Sequence, residues 1–164
     1  MIRPFVPWPD ARLRTAAAPV EAVTDEIRTL LDDMVETMDA MPGYGLAAPQ
    51  IGVMQQVAVV DASDERGRAV RMVNPRLLIA SDETRDHDEA SPNLPGVSAR
   101  LTRSAEVRLV FLDETGTEVE RTFVGLWATS AQHQLDHLAG KMYFDRLSRT
   151  KRAMLLKKAA KWKR

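Results

Sequence analysis

The stretch Gln132-His133-Gln134-Leu135-Asp136-His137-Leu138-Ala139-Gly140 decides how this chain is read. Two histidines four residues apart fall on one face of a helix, one turn from each other, where their imidazoles can share a metal ion. The helix that carries them is expected over Thr129 to Leu138, with Gly140 just past its end. The same spacing fits a plainer arrangement, one histidine in the core and the other at the surface, and the pattern alone leaves both open.

Working outward, the segment before this helix reads as a hairpin. Val107, Leu109 and Phe111 alternate with polar residues, Asp113 to Gly116 supplies a turn, and Val119 to Val124 returns. Further back, Val57 to Val60 is a predicted strand, and Val70 to Val73 another that resumes from Leu77 to Ile79 beyond Pro75. Ser91 to Gly96 holds two prolines and must be extended or turned. An amphipathic helix is expected after Thr24, a fitting N-cap, with Asp25 and Glu26 in its first turn. Its apolar face is Ile27, Leu30, Leu31, Met34, Val35 and Met38, and Pro42 and Gly43 stop it. Met1 to Pro19 holds four of the nine prolines and reads as an irregular arm laid over the rest. A last helix begins near Ser148 and runs into the terminus, with Leu155, Ala159 and Trp162 on one face.

Composition sets the class. The chain has 164 residues, 45% hydrophobic and 28% charged, which suits a single folded domain over 1–164 with a real core. Apolar stretches are too short to span a bilayer and no apolar signal core precedes the first prolines, so a cytoplasmic protein with no membrane partner is the expectation. With no cysteine there is no thiolate ligand and no thiol nucleophile. The zero formal charge argues against a nucleic-acid coat, yet seven Lys or Arg and no acid lie between Lys151 and Arg164.

Three strings together resemble the motifs of peptide deformylases. Gly43-Tyr44-Gly45-Leu46-Ala47-Ala48-Pro49-Gln50 is similar to the family's G-x-G-L-A-A-x-Q. Glu89-Ala90-Ser91-Pro92-Asn93-Leu94-Pro95-Gly96 is similar in spacing to E-G-C-L-S-x-P-G, and Gln132 to Gly140 to Q-H-E-x-D-H-L-x-G. The likeness extends over nearly the whole chain. It implies an α+β fold, mostly antiparallel sheets around a central helix bearing the HxxxH pair. It also implies a reaction, metal-dependent hydrolysis of the formyl group from the N-terminal methionine of new polypeptides.

Residue by residue, the resemblance assigns His133 and His137 as metal ligands and Ser91 to the place of the third, a cysteine in the family. A neutral hydroxyl is a far poorer ligand than a thiolate for Fe(II) or Zn(II). Gln134 stands where the family has the glutamate that moves the proton, and an amide has no proton to exchange at neutral pH. Gln50 keeps its part in holding the oxyanion, but the second donor, a backbone N–H, is lost because Pro92 has none. The expected cofactor is a divalent metal, Fe, Zn or Ni, bound weakly or not at all.

The substrate-binding residues implied are Gly43, Tyr44, Gly45, His87, Glu89, Ala90, Leu126, Thr129 and Ser130. His87, Thr129 and Ser130 make a polar wall where the family presents an apolar one to methionine. Glu89 and Asp136 also fit as plain hydrogen-bond anchors, and the glycines as tight-loop residues. His87, four residues before Ser91, is a further candidate ligand. The expected function is a deformylase-like protein, inactive or impaired, retained for binding formylated or other peptide N-termini. The alternative is an active metal-dependent amide hydrolase with altered ligands or substrate. The basic helix at 148–164 fits either a solvated helix end or a contact with the ribosome.

Overall fold

A computed structural model describes residues 1–162 of the chain. Its helices are α1 (Asp25–Ala40), α2 (Leu126–Leu138) and α3 (Arg149–Lys161). Its strands are β1 (Gly45–Ala47), β2 (Val57–Val60), β3 (Val70–Ala80), β4 (Thr84–Ser91), β5 (Leu94–Ser104), β6 (Glu106–Leu112) and β7 (Glu118–Val124). A five-stranded sheet runs β1-β2-β3-β6-β7 and a two-stranded one is β4-β5, with every pairing antiparallel. α2 contacts β1, β2 and β7 of the larger sheet and β5 of the smaller. This is the α+β arrangement around a helix that the motifs imply.

α1 begins where the sequence places it. The Thr24 hydroxyl accepts from the Ile27 N–H at 3.4 Å, and Ile27, Leu30, Leu31, Met34 and Met38 are buried against β1 and β2. α2 starts three residues before Thr129, with Gly125 at positive φ as its N-cap, because that glycine turns the chain directly out of β7. Ala128 and Ala131 of α2 pack on Ala47, Ala58, Met72 and Leu109. Small side chains there allow the helix to lie close on the sheet.

Two segments differ from expectation. β3 runs unbroken through Pro75, because its register with β6 shifts between Val73 and Arg76 and Asn74 takes φ 52. Beyond Val73, β3 has β6 on one side only, so the N–H that Pro75 lacks is not needed by a second neighbour. The second difference is the β4–β5 hairpin, whose strands continue well outside Ser91 to Gly96. At the other end, Ser148 caps α3 by accepting from Lys151 N. Leu155 and Ala159 are buried with Val97 and Leu101 of β5. Trp162 does not extend that helical face; it is the C-cap, with extended backbone, and its ring lies where a side chain at Gly96 would be. Lys163 and Arg164 lie outside the described residues.

Asn74 is the hinge of the first of these departures: its side chain donates to Val20 O at 2.8 Å and accepts from Val20 N at 2.8 Å. Asn74→Ala removes both bonds and puts alanine at a positive φ. Stability should fall by about 1–3 kcal/mol, read as a lower urea midpoint with an unchanged slope.

Candidate active site

Ser130, His133, Gln134 and His137 stand at i, i+3, i+4 and i+7 of α2 and so share one face of it. β1 crosses that face at Gly45, where an added Cβ would lie 2.4 Å from Gln134 Nε2 and 2.5 Å from Ser130 Oγ. Only glycine lets the strand pass so near the helix.

Charge is balanced beneath this face. Arg103 of β5, 3% exposed, reaches Glu89 of β4 through Nε at 2.6 Å and Nη2 at 2.9 Å, and Asp136 of α2 through Nη1 at 3.0 Å. Arg146 donates twice more to Asp136, at 2.7 and 2.8 Å. Two carboxylates thus face two guanidiniums. Burial alone pushes the Glu89 carboxyl up, but bonds from His133 and Arg103 outweigh it and hold it down at about 2. Asp136 is lowered in the same way, with burial opposed by Arg146 and Arg103.

Glu89 Oε1 lies 2.7 Å from His133 Nδ1, which must therefore be an N–H. His133 Nε2 then faces His137 Nε2 at 3.1 Å. Burial, with lesser contributions from His133 and Arg103, holds His137 well below its ordinary value, so it is neutral. In a neutral pair the His137 Nε2–H donates to His133, and His137 Nδ1 is left as a bare acceptor; it has no hydrogen-bond partner among the described residues. Joint ligation of a metal needs lone pairs on both Nε2 atoms and a proton on His137 Nδ1, and no acceptor among the described residues fixes that tautomer.

At the end of β4 the Ser91 hydroxyl donates to Asn93 Oδ1 at 3.0 Å and sits 3.4 Å from Asn93 N and 3.5 Å from Gln50 Nε2. Asn93 uses its whole amide: Oδ1 also accepts from Gln50 Nε2 at 2.9 Å, and Nδ2 donates to Val6 O at 2.7 Å and Gln50 O at 2.9 Å. Gln50 Oε1 accepts from Ala47 N at 2.9 Å. Ser91 is thereby a node in a polar network joining the arm, the turn Ala48–Ile51 and β4.

The residues fit a divalent metal only in part. The two imidazoles converge, but among the described residues no three His, Cys, Asp or Glu are grouped to hold a metal ion. His87 does not join the pair. It lies on β4, edge-on to Tyr44 with ring centroids 6.5 Å apart. The third donor available, Ser91, is neutral and already bonded.

A cavity of about 230 Å³ opens beside α2. It gathers Gly43, Tyr44, Gly45 and Gln50 from one side, His87, Glu89 and Ala90 from β4, and Leu126, Thr129, Ser130, His133 and Gln134 from α2. Of the residues singled out by sequence, Ser91, Asp136 and His137 do not line it. Met41, Asp88 and Pro92 line it as well. Sequence reading also passed over Asn93, Arg103 and Arg85, whose Nη1 donates to Thr129 Oγ1 at 2.6 Å. Tyr143 was missed too: its ring stacks on His133, and burial, with Glu89 adding to it, pushes its hydroxyl up to about 12. Nothing marks an arginine on a strand as the partner of two distant carboxylates, whereas Asn93 sits inside a motif and could have been weighed as an amide.

The sequence pattern of the polypeptide deformylase family matches residues 2–153. A peptide deformylase of Rhizorhabdus wittichii is 43% identical over 99% of this chain and 96% of its own length. That of Teredinibacter turnerae is 40% identical over 96% and 94%. Among solved structures, a peptide deformylase from Legionella pneumophila superposes with TM-score 0.91 at 37% identity, covering 98% of this chain and 95% of that one. One from Ehrlichia chaffeensis in complex with actinonin gives 0.91 at 32% identity, covering 98% and 96%.

The lowered Glu89 carboxyl contributes stability that is complete above its ordinary value of 4.5 and is lost as pH falls toward about 2. Guanidinium titrations from pH 7 to pH 3 should show this contribution intact down to about pH 4.5 and declining below it. Glu89→Gln, less stable at pH 7, should show a flatter dependence.

Proposed function

The chain belongs to the peptide deformylase family, whose members are metal-dependent hydrolases, and from that membership we propose a member inactive or strongly impaired on formyl-methionyl peptides and retained to bind peptide N-termini. The observation that carries this reading is the bonding of Ser91, whose hydroxyl is engaged by Asn93 where a charged third ligand is required. A hydroxyl must lose a tightly held proton to become an anionic ligand, and here that proton is held by an amide oxygen.

Two further losses act at the same centre. Gln134 cannot take a proton from a nucleophilic water or pass one to a departing amine, a deficit of about 10²- to 10⁴-fold. Pro92 lines the cavity and offers no N–H to a developing oxyanion, a deficit of about 10²- to 10³-fold. Gln50 remains a donor, though its Nε2 already serves Asn93 Oδ1. These deficits need not multiply, because groups that act together are not additive. What the site retains is shape and polarity, a lined cavity above a cluster of paired charges.

The test pairs metal analysis with turnover. Protein supplied with Fe(II), Ni(II) and Zn(II) should carry well under one equivalent, and should cleave formyl-Met-Ala-Ser at least about 10³-fold more slowly than the triple variant Ser91→Cys, Pro92→Leu, Gln134→Glu. Stoichiometric metal with ordinary turnover by the unaltered protein removes the proposal. Stoichiometric metal with cleavage of a different amide replaces it with an active hydrolase of altered ligands.

A ribosomal partner is part of the same reading. α3 buries Leu155 and Ala159 and turns Arg149, Lys151, Lys157, Lys158 and Lys161 outward, a basic face suited to phosphates. Among the described residues no helix is long and apolar enough to cross a membrane, and the cytoplasm is the proposed setting. Co-sedimentation with ribosomes should weaken steeply with salt and be lost in Lys151→Glu, Lys157→Glu, Lys158→Glu. Unchanged sedimentation of that variant eliminates the contact.

A further inference from the structure

β3 loses a neighbour half way along its length. Residues 70–73 lie between β2 and β6, whereas residues 76–80 pair with β6 alone. No strand among the described residues takes up the other side of that second half, so backbone N–H and C=O groups point outward from it. The side chains there are apolar and uncovered: Leu77, Leu78 and Ile79 are 47, 38 and 64% exposed. The register with β6 slips between Leu77 and Ile79, which leaves Leu78 without a cross-strand partner. Natural sheets commonly guard such an edge with lysine or a covering loop, and residues 77–80 carry no charge.

The charges stand at the two ends of the run instead. Arg76 precedes it, and Asp82 and Glu83 follow it. All three are exposed, and their side chains have no ion partner among the described residues. An edge that is positive at one end and negative at the other is complementary to itself after a two-fold rotation. With two such edges antiparallel, each Arg76 meets the other copy's Asp82 and Glu83 while the apolar runs cover one another. A parallel alignment would set like charges together.

We infer that this edge of β3 is where a second copy of the chain docks, the two β3 strands antiparallel across a two-fold axis. Five residues a side falls well short of the roughly 20–30 that a stable interface uses, so the dimer is weak, with a dissociation constant of about 10–500 µM. No residue of β3 lines the cavity beside α2, and the inference stands independently of the chemistry proposed there.

Sedimentation velocity of the full chain over about 10 µM to 1 mM tests it, and should show monomer and dimer exchanging with concentration. Ile79→Lys, at an exposed position, should stay monomeric throughout. Arg76→Glu sets acids against acids at both ends, and the double variant Asp82→Arg, Glu83→Arg sets cations against cations. Each should dimerise at least about tenfold more weakly than the unaltered chain, and an equimolar mixture of the two should recover a dimer containing one of each. Every variant is checked for folding by its unfolding transition. An unaltered chain that remains monomeric to the top of that range overturns the inference. So does a dimer that survives Ile79→Lys, a mixture of the charge variants that fails to associate, or growth past the dimer, since a two-fold contact closes on itself.

Discussion

A single guanidinium organises the interior. Arg103 leaves β5 and meets Glu89 from the neighbouring strand and Asp136 from α2, all three nearly free of solvent. Two buried carboxylates without this partner would each carry a large desolvation penalty, and the three groups come from three different elements. The arrangement therefore fixes the smaller sheet against the helix. It also explains why His133 is held as it is, since the same Glu89 that binds Arg103 receives its Nδ1–H. Arg146 supplies the second positive charge, and the cluster closes near neutrality.

Around that fixed point, on the proposed reading, the reacting centre of the family is rebuilt from neutral hydrogen-bonding groups. Where a thiolate, a carboxylate and a backbone N–H would act, there are a hydroxyl, a carboxamide and an imino acid. Each replacement keeps approximate shape while removing a charge or a proton. Asn93 makes the change coherent, because its amide satisfies Ser91, Gln50 and two backbone carbonyls at once. The imidazoles face each other across 3.1 Å, a distance at which one proton serves both.

Much of this was legible beforehand, and the reasons are local. Thr24 announces α1 because capping depends on adjacent residues, and the turn at Asp113 to Gly116 announces the β6–β7 hairpin. The paired histidines and the two flanking motifs placed most of the cavity wall. What escaped depends on distant partners. β4, Thr-Arg-Asp-His-Asp-Glu-Ala-Ser, has almost no apolar alternation, since its stabilising contacts are cross-strand pairs with β5 and the buried Arg103. Pro75 argued for a break in β3, and only the edge position of that segment and the bend at Asn74 make the proline tolerable. The helix expected from Thr129 begins instead after Gly125, and the Thr129 hydroxyl, inside its first turn, accepts from Arg85.

The network at Asn93 also fixes when the pocket can come into being. Its amide bonds span 87 residues back to Val6 and 43 back to Gln50, and the backbone of Trp8 donates to the Asn93 carbonyl as well. Contacts of such long sequence separation carry a loop-closure entropy that local turns avoid, so they form late. During vectorial synthesis the arm and the turn emerge first and wait without their partner. Only after α2 has been made can the arm, β4 and the helix close on one another, so the pocket takes shape late.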